Sequence, residues 1–143
     1  MYQHKGFTLV ELVVVIVILG LLAATALPRF INVTQDARRA SVNGVAGGLR
    51  SAAALAKAQH VVLGSTTAGP LSMDGTTVQV NAAGYPTGAT DGIGVALPDP
   101  EGWAVTHAAG SATYAPPGSA GAGTCGATYT AASGTVTTAS TGC

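Results

Sequence analysis

Charge is scarce in this chain: only 8% of its 143 residues are Asp, Glu, Lys or Arg, against about a quarter in an ordinary soluble domain. With 48% of residues hydrophobic, that scarcity excludes a disordered chain, which needs high charge and few apolar residues. Six Lys and Arg balance six Asp and Glu. No basic surplus is left to neutralise phosphates, which excludes an electrostatic nucleic-acid binder. Aromatics are only 5% while glycine reaches 20 residues, so the core has to be built from small side chains. The length suffices for one domain with one core and not for two.

What the chain does have is unevenly placed. Residues 7–27 read FTLVELVVVIVILGLLAATAL, with Glu11 as the only charge. At 1.5 Å per helical residue the run spans about 31 Å, the thickness of a hydrocarbon core. Ahead of it stands a short head with His4 and Lys5; behind it come Arg29, Arg38 and Arg39, so the positive-inside bias is weak. Every Lys and Arg lies at or before Lys57, and the remainder carries Asp74, Asp91, Asp99 and Glu101, a net charge of −4 with neutral histidines. A secretory signal peptide is one reading of the N-terminus, with Ala24-Thr25-Ala26 as a small-x-small site and cleavage after Ala26. The run is longer than such a peptide needs, and Glu11 inside it costs roughly 2.5–3.5 kcal/mol at a bilayer centre and less near the end. A carboxylate placed there at such cost is a functional group in want of a partner.

The stretch Lys5-Gly6-Phe7-Thr8-Leu9-Val10-Glu11-Leu12, followed by an apolar helix, resembles the class III signal of type IV pilins and pseudopilins. The resemblance implies a leader at 1–6, cut by a prepilin peptidase between Gly6 and Phe7, and N-methylation of Phe7. It implies a transmembrane and polymerisation helix at 7–28, in which Glu11 meets the Phe7 amine of a neighbouring subunit. Glycine at position 6 offers a peptide bond without side-chain obstruction, and the pairing turns an unaffordable acid into a docking register. Pro28 lacks one amide donor and clashes with the carbonyl four residues back. The segment between Gly20 and Pro28 is therefore expected either to kink and unwind, as family filaments often do, or simply to end the membrane helix at Pro28.

Residues 29–64 read as an amphipathic helical stem. Val42, Val45, Ala46, Leu49, Ala52, Ala53 and Ala56 share one face, and Arg38, Arg39, Asn43, Arg50 and Lys57 surround it. Gly44, Gly47 and Gly48 offer close approach to a sheet at about 1 kcal/mol each of helix propensity, and the helix is expected to end near Gly64, before a turn-forming run at 65–70. Residues 65–143 then read as a globular β-rich head, with strands expected at 77–80, 93–97, 103–107, 112–115, 127–131 and 135–138. Trp103, Val105 and His107 fall on one face of a strand, with a turn at Ala109-Gly110. The fold class reads as α+β, and the resemblance implies the pilin fold of a long N-terminal helix packed on an antiparallel sheet. Asn81-Ala82-Ala83-Gly84-Tyr85-Pro86, with Gly92-Ile93 after it, is similar to the mannose-sensitive haemagglutinin subgroup of pilins.

Cys125 and Cys143 are the two cysteines, and an even number in an exported chain favours a disulfide over free thiols or a metal pair. The bridge would stabilise by about 3 kcal/mol; in the family such a disulfide closes a C-terminal loop. Few residues offer chemistry beyond this. His60 and His107 belong to no catalytic or metal pattern. The loop from Gly118 to Gly123 lacks the Lys-Ser/Thr of a phosphate loop. Asp91, Asp99 and Glu101 are weak candidates for calcium, the ion of some type II secretion pseudopilins, although Pro98-Asp99-Pro100 reads equally as a polar turn. Asn32-Val33-Thr34 is a formal glycosylation sequon. Phe7 and Phe30 are the only aromatics of the helical stem, too few for a conducting stack. No motif calls for a cofactor, and the chain is not expected to be an enzyme.

The sequence thus reads as the structural, major subunit of a type IV pilus. Its partners are expected to be other copies of itself, the prepilin peptidase with the assembly machinery, and the inner membrane before assembly. The head would be periplasmic first and extracellular in the fibre, which would serve adhesion, motility or uptake. A type II secretion pseudopilin is the alternative within the family.

Overall fold

The computed structural model describes residues 6–143, apart from the side chains of residues 26–32. Lys5, and the side chains of Pro28, Phe30 and Asn32, lie outside the described residues. Two units make up the chain, Met1–Asp36 and Ala37–Cys143. Helix α1, Leu9–Val62, contributes to both. Its backbone is helical through the whole range, so neither an unwound stretch between Gly20 and Pro28 nor a helix end at Pro28 is present in the single chain. The Thr25 hydroxyl donates to the carbonyls of Leu21 and Leu22 at 3.4 and 3.0 Å, a back-bond that keeps a polar side chain satisfied on an apolar helix.

Among the described residues of the first unit the large apolar side chains are exposed: Phe7 is 80% exposed, and large residues from Leu9 to Leu22 all stand open. Among the described residues no helix is long and apolar enough to cross a membrane. The apolar run itself continues into residues 26–27, beyond the described side chains.

The second unit is built on the last turns of α1. Gly64 takes φ +63 after the helix. Its N–H bonds to Val61 O at 3.0 Å, and Ser65 N–H reaches back to His60 O at 3.2 Å, the paired bonds of a Schellman stop. The stem buries the stripe expected of it: Val42, Ala46, Leu49, Ala52, Ala53 and Ala56 are buried and Val45 packs against the core edge. Of the three stem glycines one has a neighbour. A Cβ on Gly48 would lie 3.3 Å from the Leu97 side chain, whereas Gly44 and Gly47 face open space.

Two antiparallel sheets follow. Strands β1, Gly69–Met73, and β2, Thr76–Val80, form a hairpin. A four-stranded meander runs through β3 Ala104–Ala108, β4 Ser111–Ala115, β5 Gly126–Thr130 and β6 Thr135–Ala139 in sequence order. Its register aligns Thr106, Thr113, Thr128 and Thr137 in one row, and His107, Ala112, Tyr129 and Val136 in the next. The second row enters the core and the first faces away, which is where the threonines of this tail find use as β-branched sheet residues. The small alanines of α1 are matched by Tyr114 and Tyr129, the largest fully buried side chains. The core is thus small on the helix side and aromatic on the sheet side.

One expected strand and one expected turn are corrected. Residues 93–97 form not a strand but a single helical turn, α2, Ile93–Ala96. A short apolar run does not reveal its period, and the turn sends Ile93, Ala96 and Leu97 together towards the core, with Leu97 N–H bonded to Ile93 O at 2.8 Å. The run at 65–70 is only partly a turn, since Gly69 and Pro70 open β1. Pro70 sits at the start of a strand with one partner, a place that tolerates its missing donor. Trp103 lies just outside β3 and still packs on the core beside Val105.

Candidate assembly site

The N-terminal determinants sit at the start of α1. Gly6, Phe7 and Thr8 are exposed and not helical, so the Gly6–Phe7 peptide bond is accessible to an enzyme. Thr8 is the N-cap. Its hydroxyl accepts the Glu11 N–H at 3.2 Å, while Glu11 Oε2 accepts the Thr8 N–H at 3.0 Å and the Thr8 hydroxyl at 2.8 Å. This reciprocal Thr-x-x-Glu arrangement is a capping box, which satisfies otherwise orphaned donors at a helix start. Both Thr8 donors converge on Oε2, which leaves Oε1 for a further donor. The pattern stands in the sequence as Thr8-Leu9-Val10-Glu11 ahead of an apolar run, the signature of such a box, so Glu11 caps its own helix besides being the acid that the resemblance assigns to subunit assembly.

The second determinant is the closure of the head. Cys125 and Cys143 form a disulfide, with Cα atoms 4.8 Å apart. The stem cations hold the neighbouring backbone: Arg38 Nη1 donates to Cys143 O at 3.1 Å, Arg39 Nε to Ser140 O at 3.4 Å and Arg50 Nη2 to Val136 O at 3.1 Å. Lys57 Nζ donates to Ala83 O and lies 5.1 Å from the Tyr85 ring centroid. Cations read as a polar face are therefore also ties to the head, through bonds to carbonyls that no sequence pattern announces.

The motif at 81–86 is a clasp. Asn81 Oδ1 accepts the Tyr85 N–H at 3.0 Å and Asn81 Nδ2 donates to Ala131 O at 2.6 Å. Tyr129 donates its hydroxyl to Pro86 O at 2.7 Å. Gly84 takes φ +84 and has no room for a side chain, since a Cβ on it would lie 2.7 Å from the His60 ring. Burial pushes the Tyr129 phenol well above its usual range, with Tyr85 and Tyr114 adding to the effect. Burial likewise pushes Tyr114 up to about 12, with Asp99 contributing.

The weak calcium candidates are not assembled into a ligand set. Asp99 turns its carboxylate to His107 Nε2, at 3.0 and 3.1 Å, and His107 Nδ1 lies 3.1 Å from Gly88 O. Asp91 and Glu101 are exposed, and among the described residues no group of three His, Cys, Asp or Glu converges to hold a metal ion. His107 thus has a structural place, bridging Asp99 to the 88 loop edge-on to Tyr114. The Gly118 turn lies against Arg38, whose Nη2 would be 2.8 Å from a Cβ there.

Residues 1–27 match the prokaryotic N-terminal methylation motif. The chain is 51% identical to the type IV narrow pilus major component PilA5 of Thermus thermophilus over 57 residues, 40% of this chain and 49% of that protein. It is 63% identical over 30 residues, 21% of the chain and 19% of the relative, to the fimbrial protein EcpB of Eikenella corrodens. With EcpC of the same organism it shares 43% over 49 residues, 34% of the chain and 32% of that protein. The chain therefore spans about half the length of the first of these relatives and about a third or less of the others. No solved structure matches.

Proposed function

We propose that this chain is the major structural subunit of a type IV pilus, held in the inner membrane by residues 7–28 until it polymerises and displayed at the cell surface afterwards. The observation that carries the reading is the helix start: an acid fixed by a capping box within a collar of exposed aliphatic side chains. Burying each such side chain is worth about 1.5–3 kcal/mol, so the helix has to lie in lipid or against other helices. Cleavage between Gly6 and Phe7 by the prepilin peptidase creates an amine at Phe7, which stays cationic after one methylation. Glu11 Oε1 is the acceptor for that amine on a neighbouring subunit, and the pair sets the axial register as apolar stems exchange lipid for one another. Gly20 and Pro28 mark the stretch where the helix opens if the fibre requires it. The chain performs no catalysis of its own; adhesion, motility and uptake are properties of the fibre.

The Cys125–Cys143 disulfide and the pilus and fimbrial names of the relatives favour a pilus over a type II secretion pseudopilus. The test is Glu11→Ala in the full chain. The variant is expected to remain in the membrane fraction at normal abundance while surface fibres are lost. Normal fibres in that variant would refute the reading.

A further inference from the structure

Outside the assembly site, an open groove of about 640 Å³ lies between the stem and the turn after β5. Arg50 and Lys57 line it together with Val61, Val62, Tyr85 and Gly134. Neither cation has an acidic partner among the described residues; each spends a donor on a backbone carbonyl and, with five N–H groups on Arg and three on Lys, retains others. The α1 side of the groove is therefore cationic at Arg50 and Lys57 and apolar towards Val61 and Val62 at the helix end.

A second, smaller groove of about 250 Å³ lies along Leu55 and Gln59 and is closed by Ser72, Met73 and Asp74. At 3.6 residues per turn the line through Leu55 and Gln59 is roughly 170° around the stem from that through Arg50 and Lys57. The two grooves thus occupy opposite flanks. Asp74 is exposed at the tip of the β1–β2 hairpin, with φ +48 followed by Gly75 at φ +77, the paired left-handed residues of a tight two-residue turn. It is a carboxylate fixed in position. Leu55 and Gln59 bracket Lys57 along α1, which sets Asp74 at the height of Lys57.

We infer that the occupant of the Arg50–Lys57 groove is a second copy of this chain, entering with the Asp74 hairpin. The inference rests on the proposed function and adds to it a head-to-head contact separate from the Glu11 register. Charge complementarity selects the occupant, because one flank of the head offers unpaired cations and the other an unpaired acid. The sidedness selects the outcome: a contact that joins unlike flanks is heterologous, and unless its rotation closes a ring it propagates into a helical filament. Lys57 and Arg50 are two turns apart, about 10 Å along the stem, so a neighbour staggered by that much along the fibre still finds a cation. The hairpin brings Met73 to the apolar end of the groove at Val61 and Val62.

Fibres sheared from cells and treated with a water-soluble carbodiimide test this directly. The reagent activates a carboxylate, an adjacent amine displaces it as a urea, and an amide remains; Lys57 is one of only two lysines in the chain. Subunit dimers on a denaturing gel are expected to yield a peptide in which Lys57 is joined to Asp74, distinct from any Phe7–Glu11 amide of the assembly site, and that peptide is expected to disappear in Asp74→Asn. Asparagine tolerates the left-handed backbone at that position, so this variant keeps the hairpin. Pairing Lys57→Asp with Asp74→Lys is expected to restore the fibres that either change alone diminishes. If fibres form but Lys57 is joined to Asp91, to Glu101, to another protein or to nothing, the inference is overturned and the proposed function stands. If cells bearing the unaltered chain make no fibres containing it, the proposed function falls and takes the inference with it.

Discussion

Removing the Cys125–Cys143 disulfide perturbs the head at one defined place. The bridge joins residues 18 apart in sequence, and the loss of loop-closure entropy in the unfolded chain corresponds to about 3 kcal/mol at 25 °C. Cys125→Ala with Cys143→Ala is the appropriate pair, because alanine leaves no unpaired hydroxyl in a site where both cysteines are buried. The unit that holds them, Ala37–Cys143, unfolds with an entropy of about 0.2 kcal/mol per kelvin for roughly 100 residues, so Tm falls by about 15 °C. Thermal unfolding of the full chain in detergent, followed by near-UV circular dichroism of Tyr114 and Tyr129, reads the change. Arg38 supplies an internal check, since it donates to Cys143 O at 3.1 Å. Arg38→Ala alone is expected to cost about 1–2 kcal/mol, and clearly less in the cysteine-free background, where the tail is free to leave. A fall in Tm below about 5 °C, or additive losses, would refute the reasoning that the staple fixes the tail against the stem.

Three further outcomes are expected. Gly84→Ala combines a left-handed backbone with a Cβ 2.7 Å from His60 and is expected to destabilise by more than about 2 kcal/mol, whereas Gly44→Ala, with open space around it, is expected to stabilise by up to about 1 kcal/mol; equal effects in urea unfolding would contradict the clasp. Leu49→Ala, at a fully buried stem position, is expected to cost about 3–5 kcal/mol, and a loss under about 1 kcal/mol would mean that the stem is not packed on the sheet. The raised tyrosines give a pH dependence: the folded state holds the phenol protons more tightly than the unfolded state, so their contribution is complete below about pH 10 and is lost as the pH rises through the folded value of Tyr114, about 12. Stability measured between those limits is expected to fall, and a flat profile would show that these phenols are not buried.

Much of the architecture was legible in the sequence because two periodicities announce themselves. Stem positions from Val42 to Ala56 repeat at 3.6 residues and are buried as that spacing requires. The runs around Thr113, Thr128 and Thr137 alternate at two and form neighbouring strands. The Ile93 turn was not legible, since so few apolar residues fit either period, and β1 was hidden behind Gly69 and Pro70, which signal a turn more often than a strand start. At the candidate assembly site the residue types Gly6, Phe7 and Glu11 carry the resemblance, while the Thr8–Glu11 capping box, spelled by Thr-x-x-Glu, takes its reciprocal bonds from the geometry. Bonds from Arg38, Arg50 and Lys57 to carbonyls, and the Asp99–His107 contact, depend on how loops close over the stem. The sequence states the partners and leaves their meeting to the fold.

Mass analysis of intact subunits from purified surface fibres tests the central claim most directly. A polymerising pilin predicts a chain beginning at Phe7, carrying one methyl group on its N-terminal amine and an oxidised Cys125–Cys143 pair. A chain beginning at Leu27 or still bearing Met1, or fibres from which this chain is absent, would contradict it.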